Sequence, residues 1–287
     1  MNMDKIMIIG TGVMGLGIAQ IALRNDFIVF LQDINRQILE AGLKKIEKNL
    51  DQSITKGKLT LKEKESCLAK IKLTESLEQV KEMDFIIEAV FEDIQVKKKV
   101  LNDLDLYLNE KTILASNTTS LSITELSTVL RRPQNFIGMH FFNPVWAMQL
   151  VEITPGSSTS PHTIKFTKEI AEKMGKTPII VKEAPGGIVS RILGSLLNEA
   201  IFVYTEGIAS AEDIDTAMKL GANLPIGPLH LLDLIGLDVH LAKMETLYRE
   251  FNDSKYRPHP LLRKMVREGL LGKKTGKGFF DYQVKEN

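Results

Sequence analysis

The strongest constraint on the fold lies near the start of the chain. Ile6-Met7-Ile8-Ile9 is an apolar run that ends in Gly10-Thr11-Gly12-Val13-Met14-Gly15, and residues 14–24 then place apolar side chains at helical spacing. A buried strand, a glycine turn and a helix in that order open a dinucleotide-binding unit. Gly10 makes the tight turn, Gly12 leaves the backbone open to a pyrophosphate, and Gly15 lets helix and strand pack closely. The helix N-terminus offers partial positive charge to phosphate. Asp33 follows Gly15 by eighteen residues, at the end of a second apolar segment, 28–31. A carboxylate there bonds the ribose hydroxyls of NAD and repels the 2′-phosphate of NADP. Arg36, close by, works slightly against that preference.

The alternation of strand and helix continues. Strands are expected at 85–90, 112–116, 136–140, 151–154 and 179–181, and helices at 36–50, 61–69, 96–108, 123–130 and 161–174. Such alternation predicts an α/β fold, a Rossmann-type doubly wound, mainly parallel sheet. It stops near Lys182. Beyond Ala184-Pro185-Gly186-Gly187 the pattern is helical, at 188–205, 211–220, 229–251 and 261–268. The Pro-Gly break therefore separates an NAD-binding domain, 1–184, from a smaller all-helical domain, 185–287, suited to substrate closure and dimerisation.

Composition excludes several classes. The 287 residues are 44% hydrophobic and 25% charged, ordinary for a globular protein with a sizeable core. A net charge of +1 gives no reason to expect nucleic acid or an anionic membrane as partner. No run approaches the roughly 20 apolar residues that span a bilayer. The start lacks a signal peptide, because Lys5-Ile6 leads straight into the first strand. Cys67 is the only cysteine, which excludes an intrachain disulfide and fits a reducing, cytoplasmic setting. His140, His162, His230, His240 and His259 are scattered without clustered partners, so no metal site is expected.

Ligands of open α/β sheets bind beyond the carboxyl ends of the strands. Gly10, Ser116, His140 and Asn143 all fall at or just after expected strand ends. His140 precedes Phe141-Phe142-Asn143-Pro144, and Glu152 heads the next strand. A carboxylate on one imidazole nitrogen fixes the tautomer and leaves the other free to take a proton. The competing reading makes His140 a satisfied core residue and Glu152 an exposed strand-end charge. Ser116-Asn117-Thr118-Thr119-Ser120 brings hydroxyls and an amide to the same edge, and Ser120 or Ser122 also suits a helix cap.

With these segments in hand, the sequence resembles the short-chain L-3-hydroxyacyl-CoA dehydrogenases, near the bacterial 3-hydroxybutyryl-CoA dehydrogenases. The likeness runs through the glycine turn with Gly17-Ile18-Ala19-Gln20, then Ala115-Ser116-Asn117-Thr118 and His140-Phe141-Phe142-Asn143-Pro144. It continues through Glu212-Asp213-Ile214-Asp215, Leu231-Leu232-Asp233, Gly236-Leu237-Asp238 and Gly272-Lys273-Lys274-Thr275-Gly276-Lys277-Gly278-Phe279. The resemblance implies NAD-dependent oxidation of a 3-hydroxyacyl-CoA and its reversal. His140 would be the acid/base, held by Glu152. Cofactor contacts would fall on Gly10, Gly12, Val13, Met14, Gly15, Asp33, Glu92, Lys97, Asn117, Asn143 and Lys274. Lys56 would meet CoA, Thr119 and Ser190 the substrate oxygen, and the helical domain would form a homodimer.

Three positions depart from the family pattern. Thr119 stands where serine is usual, which keeps the hydroxyl but stiffens the rotamer. Ser190 replaces an asparagine whose amide helps hold the reacting oxygen, and losing one such donor costs roughly a hundredfold or more in rate. Trp146 replaces a small residue or proline and reshapes the acyl pocket. These departures keep two rivals open: an NAD-dependent dehydrogenase of another hydroxy acid, and an NAD-binding homologue of low activity.

Overall fold

The computed structural model describes residues 5–282. One compact unit ends at Glu183 and a second begins at Ala184. The first contains β1 (Lys5–Ile9), α1 (Val13–Arg24), β2 (Ile28–Gln32), α2 (Arg36–Thr55), α3 (Leu61–Ala69), β3 (Ile71–Thr74), β4 (Phe85–Glu88) and α4 (Ile94–Asp105). It continues with β5 (Ile113–Ser116), α5 (Ile123–Ser127), β6 (Phe136–Phe141), β7 (Leu150–Pro155), α6 (Pro161–Lys173) and β8 (Thr177–Ile180). The strands form one sheet in the order β3-β2-β1-β4-β5-β6-β7-β8. Every neighbouring pair is parallel except β6 and β7.

Strand side chains alternate between faces, and here both faces are apolar. Ile6, Ile8, Phe85, Ile87, Ile113 and Ala115 join one core with Leu16, Ala19 and Leu23 of α1 and Leu39 and Ile46 of α2. Their alternates Met7, Ile9, Ile86 and Leu114 join another with Leu101 and Leu104 of α4 and Leu126 of α5. Burial on both faces explains why the strands read as continuous apolar runs. Polar caps set the helix starts. The side chains of Asn35, Asp93 and Ser160 accept backbone N–H groups at the heads of α2, α4 and α6, and each such cap is worth about 1 kcal/mol.

Two elements differ from the sequence expectation. Strand β3 was not anticipated: Ile71-Lys72-Leu73-Thr74 is too short to carry a pattern, and it exists because β2 offers it an edge. In the second unit the single helix expected at 229–251 is two, α9 (Pro228–Ile235) and α10 (Leu237–Phe251), besides α7 (Val189–Thr205), α8 (Ala211–Gly221) and α11 (Pro260–Arg267). Gly236 breaks it with φ +100°, a conformation costly for any residue with a Cβ. The second unit has its own core around Leu197, Ile201, Leu229, Leu232, Leu237 and Leu262. No helix of the described residues is long and apolar enough to cross a membrane.

Candidate active site

The glycine turn leaves β1 at its carboxyl end. Gly10 has φ +99°, and a Cβ there would stand 2.9 Å from the Ala89 carbonyl oxygen of the adjacent β4 connection. Gly12 faces open space, with nothing within 4 Å of the position a Cβ would take. It heads α1 without a side-chain cap, and no acidic residue occupies the first turn. Uncapped N–H groups beside an open backbone surface suit a phosphate, so the residues present fit a dinucleotide. Asp33, just past β2, accepts from Thr11 N at 2.8 Å and Thr11 Oγ1 at 2.6 Å. It thus ties the glycine turn to the neighbouring strand end. Val13 is largely exposed on the first turn of α1.

A buried charge pair lies beneath the next two strand ends. Glu88 and Lys97 are both fully enclosed, with Nζ 2.7 Å from Glu88 Oε1. Glu88 also accepts from Val90 N at 2.7 Å and Ser116 Oγ at 2.5 Å. Lys97 reaches the Asn117 carbonyl at 3.2 Å and lies 3.7 Å from Glu92 Oε2. Glu92 accepts in turn from Thr118 Oγ1 at 2.6 Å, Thr119 N at 2.9 Å and Ser120 N at 3.3 Å. This network joins the β4 and β5 loops. Lys97 thereby links Glu88 at the end of β4 to Glu92 and to the Asn117 carbonyl. Asn117 Oδ1 accepts from Phe141 N at 3.0 Å, which couples the same loop to β6.

His140 lies opposite Glu152 in the antiparallel β6–β7 pair. Directly opposed residues project from the same face of a sheet, and here Nδ1 is 3.0 Å from Glu152 Oε2. The histidine is 8% exposed and the glutamate 1%. A carboxylate that is ionised can only accept, and that pairing puts a proton on Nδ1 and leaves the Nε2 lone pair to face Thr119. The Thr119 hydroxyl sits 3.1 Å from Nε2. The arrangement can accept a proton at Nε2 and stabilise the resulting imidazolium.

The structure brings Thr119, His140 and Glu152 together through direct contacts, with Glu92 and Asn117 tied to the same loop. Asn143 is exposed just past β6, and Lys56 is exposed at the end of α2. Ser190 and Lys274 belong to the second unit. Ser190 is buried in the first turn of α7, and Lys274 Nζ pairs with both Asp238 oxygens, at 2.5 and 2.6 Å. Ser122, not Ser120, caps α5, accepting from Glu125 N at 3.0 Å. Sequence reasoning missed Glu88. Its signal was a lone carboxylate in the apolar run 85–90, since a charge inside a buried strand needs a partner. Among the described residues, no group of three or more His, Cys, Asp or Glu could hold a metal ion.

Residues 5–184 match the family model described as 3-hydroxyacyl-CoA dehydrogenase, NAD binding domain, and residues 186–282 match its C-terminal domain. Over 285 residues the chain is 48% identical to a probable 3-hydroxybutyryl-CoA dehydrogenase of Bacillus subtilis, covering 99% of both. It is 49% identical over 278 residues to the 3-hydroxybutyryl-CoA dehydrogenase of Clostridioides difficile, covering 97% of this chain and 99% of that one. Among solved structures it is similar to an (S)-3-hydroxybutyryl-CoA dehydrogenase from Ralstonia eutropha. The TM-score is 0.94 at 47% identity, covering 98% of this chain and 100% of the other.

Proposed function

The chain belongs to the 3-hydroxyacyl-CoA dehydrogenase family, and from that premise we propose that it interconverts short-chain L-3-hydroxyacyl-CoA and 3-oxoacyl-CoA with NAD, using His140 as acid/base. The observation that carries this reading is the line from Glu152 through the imidazole to the Thr119 hydroxyl. The glycine turn and the head of α1 would hold NAD, which would supply the acceptor for the hydride of the substrate's C3. The hydroxyl proton passes to His140 Nε2 as the carbonyl forms. Glu152 holds the ring through Nδ1 and balances the charge it gains. In the reverse direction the imidazolium returns that proton to the carbonyl oxygen. The Thr119 hydroxyl stands where the substrate oxygen must approach and holds it by a hydrogen bond.

Asp33 sets the preference for NAD over NADP, and Glu92, Lys97, Asn117 and Asn143 complete the cofactor site of the first unit. Lys56 meets CoA, and the family resemblance assigns Lys274 to the cofactor and Ser190 to the reacting oxygen. The segment 1–184 acts as the NAD-binding domain and 185–287 as the domain for closure and dimerisation. The family resemblance supports a homodimer formed through this domain. Cys67 is buried and unpaired, which suits a reducing cytoplasm.

The test is NADH oxidation with acetoacetyl-CoA, followed by absorbance, with NADPH in parallel. Rapid turnover with NADH is expected. Bound NADH without turnover would overturn the acid/base reading.

A further inference from the structure

The connection between His140 and Glu152 is gripped from outside the site by a lysine that no step of the chemistry uses. Lys176, directly before β8, is 9% exposed. Its Nζ donates to two backbone carbonyls, Val145 O at 2.5 Å and Met148 O at 2.8 Å. Both belong to the turn at 144–148, where Ala147 N and Met148 N donate to the Pro144 carbonyl. Among the described residues the ammonium has no carboxylate partner, and burial pulls its pKa below the usual lysine value. Enclosing an unpaired charge is unfavourable unless acceptors replace the water it loses. The acceptors here are the carbonyls of one turn.

The same turn is seated on its other side against the cofactor helix. Val145 is buried, and a methyl group on Gly17 of α1 would lie 2.7 Å from Val145 Cγ2. No side chain larger than hydrogen fits there without displacing the Val145 side chain. Lys176 therefore holds the Val145 carbonyl while α1 holds its side chain. Asn143 immediately precedes the turn, and His140 is the penultimate residue of β6, the strand that enters it. On the outer surface, Trp146 is 55% exposed with Lys58 Nζ 5.7 Å from its ring centre.

We propose that Lys176 is a positioning residue, which seats the 144–148 turn on α1 and so fixes His140 and Asn143 relative to the dinucleotide cradle. It touches no reacting atom. Its three donors on a flexible stem reach two carbonyls of different orientation, which a planar guanidinium matches less well and a methionine cannot match at all. The kinetic part of this proposal rests on the acid/base reading above. The structural part does not.

Trp146 is the only tryptophan of the chain, so its fluorescence reports the turn without need of turnover. In the full-length protein, Lys176→Met is expected to raise acrylamide quenching of Trp146 about twofold, and the KM for NADH about tenfold, with kcat lowered as His140 shifts. Lys176→Arg should recover part of both. A stabilising residue with no positioning role would lower the melting temperature alone. Wild-type quenching and wild-type KM and kcat in folded Lys176→Met would overturn the proposal. If that variant does not fold, Lys176→Gln, which buries no charge, is measured the same way and judged by the same criteria. A wild-type protein that binds NADH without reducing acetoacetyl-CoA would sink the acid/base reading and leave the quenching test intact.

Discussion

His140 and Glu152 are opposed across the one antiparallel pair of the sheet, β6–β7, with Nδ1 3.0 Å from Oε2. They lie twelve residues apart in sequence. The chain turns back on itself after β6, and that reversal sets the carboxylate beside the imidazole. A parallel β7 would have needed a long crossover and would have left His140 without this partner.

Breaking this pair should reduce turnover more than binding. His140→Ala is expected to lower kcat at least a hundredfold, the usual scale for an acid/base group. Glu152→Gln should cost a comparable factor, because an amide holds the ring without balancing its charge. Calorimetry should find NADH affinity within a few-fold of wild type in both. Full activity in His140→Ala would refute the assignment.

The Thr119 hydroxyl, 3.1 Å from Nε2, gives a second test on the same atom. Thr119→Val keeps the shape and removes the donor, and kcat/KM for acetoacetyl-CoA should fall by roughly tenfold or more. Thr119→Ser should stay near wild type. Equal rates in all three proteins would show that the hydroxyl does not meet the substrate.

Asp33 accepts both donors of Thr11, and the proposed function also gives it the ribose hydroxyls of NAD. Asp33→Ser is expected to weaken NADH and to shift the NADH:NADPH ratio of kcat/KM by about tenfold or more toward NADPH, as repulsion of the 2′-phosphate is lost. A ratio that does not move would mean the carboxylate serves the turn alone.

The Glu88–Lys97 pair makes a stability prediction. Both side chains are fully buried at 2.7 Å, so Lys97→Met leaves a carboxylate enclosed without its cation, at a cost of about 3 to 5 kcal/mol. Adding Glu88→Gln should return a large part of that loss. Denaturant unfolding of the single and double variants measures the coupling. Additive losses would mean that the two groups do not act as a pair.

Acid stability should report a histidine far from the chemistry. His240, on the inner face of α10, is fully buried with neither ring nitrogen partnered among the described residues. Burial, with the nearby Lys243 charge, pulls its pKa down to about 3 from 6.5. Between those values the unfolded chain binds a proton that the folded chain refuses, so stability falls as pH drops through this window. The full span corresponds to roughly 5 kcal/mol. Calorimetric melting from pH 7 to 4 should show a shallower decline in His240→Leu than in wild type. Identical slopes would remove His240 from the account.

Much of the first unit was legible because its signals are local. The run 6–15 needs only a strand, a turn and a helix in succession, and Asn35, Asp93 and Ser160 mark helix starts by their own side chains. Glu88 could have been found as the one charge in an apolar strand. Edge strand β3 and the break at Gly236 could not, because four residues carry no period and a glycine inside an apolar helical pattern does not announce a positive φ.

The sequence by itself determined the α/β alternation, the dinucleotide cradle and the residue types of the site. Those follow from periodicity, turn chemistry and side-chain chemistry within short spans. Only the tertiary structure decided that β7 runs antiparallel to β6, that Lys97 closes on Glu88, and that Lys176 holds the turn beyond His140. Each joins groups from separate elements, and such pairings are set by strand order and by the need of buried charges for partners, which no local pattern encodes.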